Sequence, residues 1–196
     1  MSVGVRKQQA AQTGAELKAA GVRAFARLGY LNTKITDITA EAGRAAGSFY
    51  SHYANKEALL EALLADMLVE GDESAASPGH SEDFRDRAAV RFHVAQFWQF
   101  YRRHRVVMVA LQQAATVNEA FAERVREMSE PDVQHVADHL AKLDDLPGDP
   151  LTVARMVTTL MSAFAASAYE DESAIDTLTD FIHAGIGGRQ ERNALR

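Results

Sequence analysis

Thr33-Lys34-Ile35-Thr36-Asp37-Ile38-Thr39-Ala40-Glu41-Ala42-Gly43-Arg44-Ala45-Ala46-Gly47-Ser48-Phe49-Tyr50-Ser51-His52-Tyr53-Ala54-Asn55-Lys56-Glu57-Ala58-Leu59-Leu60-Glu61-Ala62-Leu63-Leu64 decides the fold. Ile35, Ile38 and Ala42 recur at helical spacing, with Thr33 in position to cap them. Gly43 ends that helix, because the residue after a helix favours φ > 0. Ala45 to His52 reads as a second helix of two turns. Ala54-Asn55 breaks it, and Asn55 caps a long third helix from Lys56. Two short helices joined by a glycine turn make a helix-turn-helix.

The second short helix suits a nucleic-acid backbone. Gly47 lets a surface approach closely. Ser48, Tyr50 and His52 offer hydroxyl and ring N–H donors. Lys56 opposes the dipole of the helix it starts, a misfit that favours a phosphate partner there.

Ala42-Gly43, Gly47-Ser48-Phe49-Tyr50, His52-Tyr53 and Lys56-Glu57-x-Leu59-Leu60 resemble the signature of the TetR family of transcriptional regulators, over roughly Leu17 to Leu64. Two positions depart from that pattern. Arg44 stands where the family has a small aliphatic residue, and Ala45 where it often has a Ser or Thr cap, whose loss costs about 1 kcal/mol. Ala46 offers only a methyl group for base readout. The resemblance implies a DNA-facing set of Thr33, Lys34, Thr36, Arg44, Ala45, Ala46, Gly47, Ser48, Tyr50, His52 and Lys56.

The chain has 196 residues, 47% of them apolar, enough for a sizeable core. It has no cysteine, and hence no disulfide or thiolate chemistry. No apolar run reaches a membrane-spanning length and the first residues lack an apolar signal region, so a cytoplasmic protein is expected. The net charge of −6 is unevenly spread: residues 1–65 carry +3 and the rest −9. A basic head on an acidic body orients a molecule on DNA.

Outward from the motif, Met1 to Gln12 reads as a loose basic arm, and Ala15 to Leu28 as a helix. The head core is expected at Leu17, Ala24, Phe25, Leu28, Ile35, Ile38, Ala42, Phe49 and Tyr53. Lys56 to Val69 is amphipathic and Gly71 to Ser81 a loop. Glu82 to Arg103, Val106 to Thr116, Glu119 to Leu143, Leu151 to Tyr169 and Ala174 to Ile186 read as further helices, with Pro131 kinking the third of these. Arg102-Arg103-His104-Arg105 reads as cations completing a helix C-terminus. The expected fold is all-α with about nine helices. A helix-turn-helix domain spans 12–71, with the motif at 34–53, and an effector-binding and dimerisation domain spans 72–196.

No phosphate loop, nucleophile elbow or catalytic constellation is present, so no enzyme and no cofactor is expected. His135 and His139 have i, i+4 ligand spacing, but no His-Glu-x-x-His pattern accompanies them, and a solvated face explains the pair without metal. Leu151 to Tyr169 is apolar nearly all round and rich in small residues, so one side faces the core and the other a partner subunit, at Ala165 or Ala166. The family implies a homodimer through 151–169 and 174–186, paired as a four-helix bundle. It also implies an apolar effector pocket, expected at Phe97, Trp98, Tyr101, Met108, Gln112, Phe121, Met128, Met156, Thr159 and Phe164. The expected function is a one-component regulator, in the first place a repressor. It binds pseudo-palindromic double-stranded operator DNA and is released by a small-molecule effector. The alternatives are a ligand-independent DNA-binding protein or activator, and an α-helical enzyme.

Overall fold

The computed structural model describes residues 3–75, 81–167 and 173–187, and among them all regular structure is helical. The helices are α1 (Val3–Leu28), α2 (Ile35–Glu41), α3 (Ala46–Tyr50), α4 (Lys56–Ala75), α5 (Arg87–Val117), α6 (Glu119–Leu140), α7 (Pro150–Ala166) and α8 (Ser173–Gly185). They pack as two units, one from Met1–Val69 with Arg105–Glu127, the other from Glu70–His104 with Met128–Arg196. Helices α5 and α6 each run through both.

In the first unit, Leu17, Ala24 and Phe25 of α1 are buried with Ile38 of α2, Phe49 of α3 and Leu59 and Leu60 of α4. Leu28, Ile35, Ala42 and Tyr53, expected in the core, are half-buried. Two glycines of α1 set its packing distances. The carbonyl of Gly14 accepts from the Tyr53 hydroxyl at 3.2 Å. A Cβ at Gly21 would lie 2.7 Å from Leu59 Cδ2, so α4 crosses α1 where no side chain intervenes. Gly21→Ala is expected to destabilise the chain by about 1–2 kcal/mol, overpacking outweighing the gain in helix propensity. Gly71→Ala, where an added methyl meets nothing within 4 Å, should stabilise it by about 0.5–1 kcal/mol. Thermal melts of the two variants should move in opposite directions, and equal shifts would refute the close crossing.

Several element boundaries differ from the sequence reading. The expected loose arm is helical from Val3. It has no apolar stripe to betray a helix, but Ala and Gln propagate one, and Gln12 donates to Glu16 across one turn at 3.2 Å. Helix α4 continues past Val69 to Ala75; Ala76 to His80 of the expected loop lie outside the described residues. Helix α5 starts at Arg87 rather than Glu82, because the Asp86 carboxylate accepts from Ala88 N–H at 2.8 Å as a cap. The break expected after Arg103 is absent: α5 runs unbroken for 31 residues, making eight helices among the described residues rather than nine. Nothing in Arg102-Arg103-His104-Arg105 breaks a helix. Two of its side chains meet α4, where Glu70 pairs with Arg103 and lies 3.0 Å from His104 Nε2. Helix α6 runs through Pro131.

In the second unit, Val94, Trp98 and Tyr101 of α5, Ala137 and Leu140 of α6, Val153, Ala154 and Met161 of α7, and Ile175, Leu178 and Ile182 of α8 are buried. Asp149 caps α7 by accepting from Thr152 N–H at 3.0 Å. Arg87 and Arg91 hold α8 through Asp180 at 2.6 Å and Asp176 at 2.8 Å. The Arg91 guanidinium, then that of Arg87, holds the Asp176 carboxyl below the usual aspartate range. That contribution is present at neutral pH and fades as pH falls through the lowered value; both partners are exposed, so it is small.

Three expectations for this unit need correction. His139 is not on a solvated face: it is 3% exposed, its ring 5.3 Å from His93 and 5.2 Å from Phe84. Among the described residues no group of three or more His, Asp or Glu is arranged to hold a metal ion. Ala165 points into the core, and Ala166 is half-buried. Met156, at 66% exposure, and Thr159 lie on the outer face of α7, in an open depression with Thr152, Arg155, Leu160 and Ala163, and so line no core cavity.

Candidate nucleic-acid interface

Helix α2 begins at Lys34, whose N–H donates to the Asp37 carboxylate at 2.8 Å. Thr33 is not the cap. It is buried, and its hydroxyl donates to Gly29 O at 2.7 Å, closing the turn after α1. That burial takes Thr33 out of any surface that touches DNA. Gly43 adopts φ +62 as the motif requires, and the next residue donates back from Arg44 N to Thr39 O at 2.8 Å.

The second helix of the motif is shorter than expected. It runs Ala46–Tyr50, and Ala45 at its N-cap gives no side-chain hydrogen bond. Phe49 is fully buried and anchors the helix, with its ring 5.6 Å from that of Tyr53. One anchored residue on so short a helix leaves the opposite face outward. Ala45, Ala46, Gly47 and Tyr50 are exposed there, beside Lys34 and Thr36 of α2. A Cβ at Gly47 would meet nothing within 4 Å, so neither packing nor backbone demands glycine at that position. Ser48 and His52 are half-buried at the edge of this face.

Two of the basic residues are engaged inside the head. Lys56 Nζ donates to Tyr30 O at 2.8 Å and to Thr33 O at 2.6 Å, and lies 4.3 Å from the centre of the Tyr30 ring. Burial lowers its pKa below the usual lysine range. The Tyr30 hydroxyl donates to Glu57 Oε1 at 2.7 Å, and burial followed by that carboxylate pushes its pKa far up. Arg44 holds Glu16 Oε2 of α1 through Nε at 3.1 Å and a terminal nitrogen at 2.5 Å. That bond, followed by one from Gln12, lowers the pKa of Glu16. The sequence reading placed both cations by their positions in the motif and missed these internal partners. Glu16 and the Gln-rich turn before it carry no motif that would have flagged them.

The residues expected to line an effector pocket fall in both packing units. Met108, Gln112 and Phe121 belong to the first, where Phe121 is buried and Gln112 exposed. Phe97, Trp98, Tyr101, Met128 and Phe164 belong to the second. There the Trp98 and Phe164 rings lie 5.8 Å apart, and Phe97 and Tyr101 6.3 Å apart. Trp98 is 2% exposed, yet its indole N–H has no hydrogen-bond partner among the described residues.

Comparison with known proteins places this geometry. The family profile "Bacterial regulatory proteins, tetR family" matches residues 17–63, the span of α1 to α4 just described. A probable HTH-type transcriptional regulator of Pseudomonas putida, ArpR, is 39% identical over 80 residues, which are 41% of this chain and 38% of that protein. The HTH-type transcriptional regulator TtgR, also of Pseudomonas putida, is 39% identical over 77 residues, 39% of this chain and 36% of its own length. The aligned part thus spans under two fifths of either relative. The fold extends further. GusR of Salmonella enterica superposes with a TM-score of 0.69 at 18% identity, covering 89% of this chain and 95% of that one. FadR of Bacillus subtilis, solved in complex with stearoyl-CoA, gives 0.65 at 15% identity over 88% and 98%. The helix-turn-helix sequence is similar to that family's model over residues 17–63, and the all-helical fold is that of these solved structures.

Proposed function

We propose that the chain is a one-component transcriptional regulator that binds a pseudo-palindromic operator as a homodimer and is released by a small apolar effector. The observation that carries this reading is the outward face of α2 and α3: an anchored Phe49 behind, with Lys34, Thr36, Gly47 and Tyr50 in front. In this reading residues 12–71 form the DNA-binding domain. The DNA-facing set is Lys34, Thr36, Arg44, Ala45, Ala46, Gly47, Ser48, Tyr50, His52 and Lys56. Residues 72–196 bind effector and dimerise, with α7 and α8 pairing across a two-fold axis. Exposed Met156 and Phe181 support that pairing.

Selection of duplexes from a random pool tests the DNA half of the reading. The expected product has two inverted half-sites whose centres lie about 34–36 Å apart, or a multiple of that. Recovery of unrelated sequences with no two-fold symmetry would refute it.

The effector half rests on Trp98. A buried indole N–H without a partner favours an apolar ligand that carries one acceptor. An effector acts only by binding the DNA-incompetent form better, and operator DNA must then weaken effector binding by the same factor, about 5–150-fold for 1–3 kcal/mol. Trp98 is the one tryptophan, so its fluorescence should report a titration that operator shifts to higher concentration. Coincident titrations with and without operator would refute the coupling.

A further inference from the structure

We propose that the DNA-binding surface extends beyond the helix-turn-helix onto the first turns of α1. There Gln8, Gln9 and Gln12 meet the backbone and groove edge of the same duplex, flanking the bases reached by α3. The proposal rests on the DNA-binding reading above and adds a second element to it.

Three observations converge. An open depression on the head is lined by Val5, Gln8, Gln9, Gln12, Thr13 and Arg44. Arg44 immediately precedes the N-cap of α3, so this depression continues the outward face of the motif rather than standing apart from it. The second observation is helical register. Positions 5, 8, 9, 12, 13 and 16 fall on one side of α1, and that side is polar over its first turns. A face built to pack on protein would carry apolar residues at this spacing, as the later turns of α1 do with Leu17, Ala20 and Ala24. Residues 4–12 are all exposed, so these turns bury nothing in the folded head.

The third observation is charge. The chain has no acidic residue before Glu16, while Arg6 and Lys7 stand on the same turns. Glu16 itself is neutralised, accepting from Arg44 and from Gln12. The glutamine face therefore has its one carboxylate already paired, with Arg6 and Lys7 on other sides of the same turns, and presents no unpaired negative charge to a phosphate backbone. Glutamine amides add donors for phosphate oxygens and both donor and acceptor for base edges, without net charge. The Glu16–Arg44 pair joins the two elements, holding α1 against the residue that leads into α3.

The test uses the full chain and a duplex selected by the wild-type protein, long enough to carry flanking sequence on both sides. The variant is Gln8→Ala/Gln9→Ala/Gln12→Ala. Alanine propagates a helix better than glutamine, so circular dichroism and melting temperature should match wild type. Expected are an affinity about tenfold weaker, an unchanged slope of log affinity against log salt because the lost groups are neutral, and a hydroxyl-radical footprint shortened at the outer edge of each half-site. Arg6→Ala/Lys7→Ala should instead lower the slope and leave the footprint edge in place. Equal affinity and an equal footprint for the glutamine variant would overturn the proposal while the DNA-binding reading stood. A wild-type protein that selects no duplex at all would overturn the DNA-binding reading, and this one with it.

Discussion

Met156→Asp/Phe181→Asp is expected to sediment as a monomer at micromolar concentration and to lose at least about a hundredfold in operator affinity. The two side chains are 66% and 68% exposed, large apolar surfaces on α7 and α8 of one packing unit. Each would gain a charge that a dimer interface must desolvate without a partner, and such a charge opposes association strongly. The affinity loss has a separate origin. A dimer binds its second half-site as an intramolecular event, so losing the partner forfeits about 10²–10⁴ of avidity without touching any DNA contact. The monomer should therefore bind an isolated half-site as well as a wild-type head does. Ala165→Asp is the informative contrast: Ala165 is buried, so a charge there should unfold the unit rather than split a folded dimer. A double variant that remains dimeric would move the interface off α7 and α8.

Much of this molecule was legible in its sequence because the deciding signals are local. Gly43 needs a left-handed backbone, Asn55 accepts from Ala58 N–H at 2.8 Å, and Phe49 is the one wide apolar side chain on its helix. Each fixes its element with neighbours only a few residues away. What could not be read depends on partners distant in the chain. The run from Arg102 to Arg105 looks like an ending until Glu70 is brought beside it. The arm before Ala15 looks loose because it has no apolar stripe, and a stripe marks burial rather than helicity. His135 and His139 share a spacing but differ in fate, since the first is exposed and the second is buried against Phe84 and His93. In the interface, position in the motif gave Arg44 and Lys56 to DNA. The structure gives each an internal acceptor first.

Lys56 is where that second kind of information matters most. Its ammonium holds Tyr30 O and Thr33 O, the carbonyls that end the α1–α2 connection, and stands over the Tyr30 ring. In Lys56→Met the stem remains and the donors go. Two partly buried carbonyls then lose charge-assisted hydrogen bonds, which should cost about 2–3 kcal/mol and lower the melting temperature by roughly 5–10 °C in a chain of this size. The consequence for DNA is distinct. An ammonium has three N–H groups, and two are spent on these carbonyls, which leaves one to meet a phosphate at the start of α4. If it does, the variant should bind every duplex more weakly, and its slope of log affinity against log salt should fall by about 1 per half-site. The two roles separate cleanly because they read out on different axes. A variant that melts like wild type would remove the structural role. A variant that melts early yet keeps the full salt slope would mean that Lys56 shapes the head and never touches the backbone of the operator.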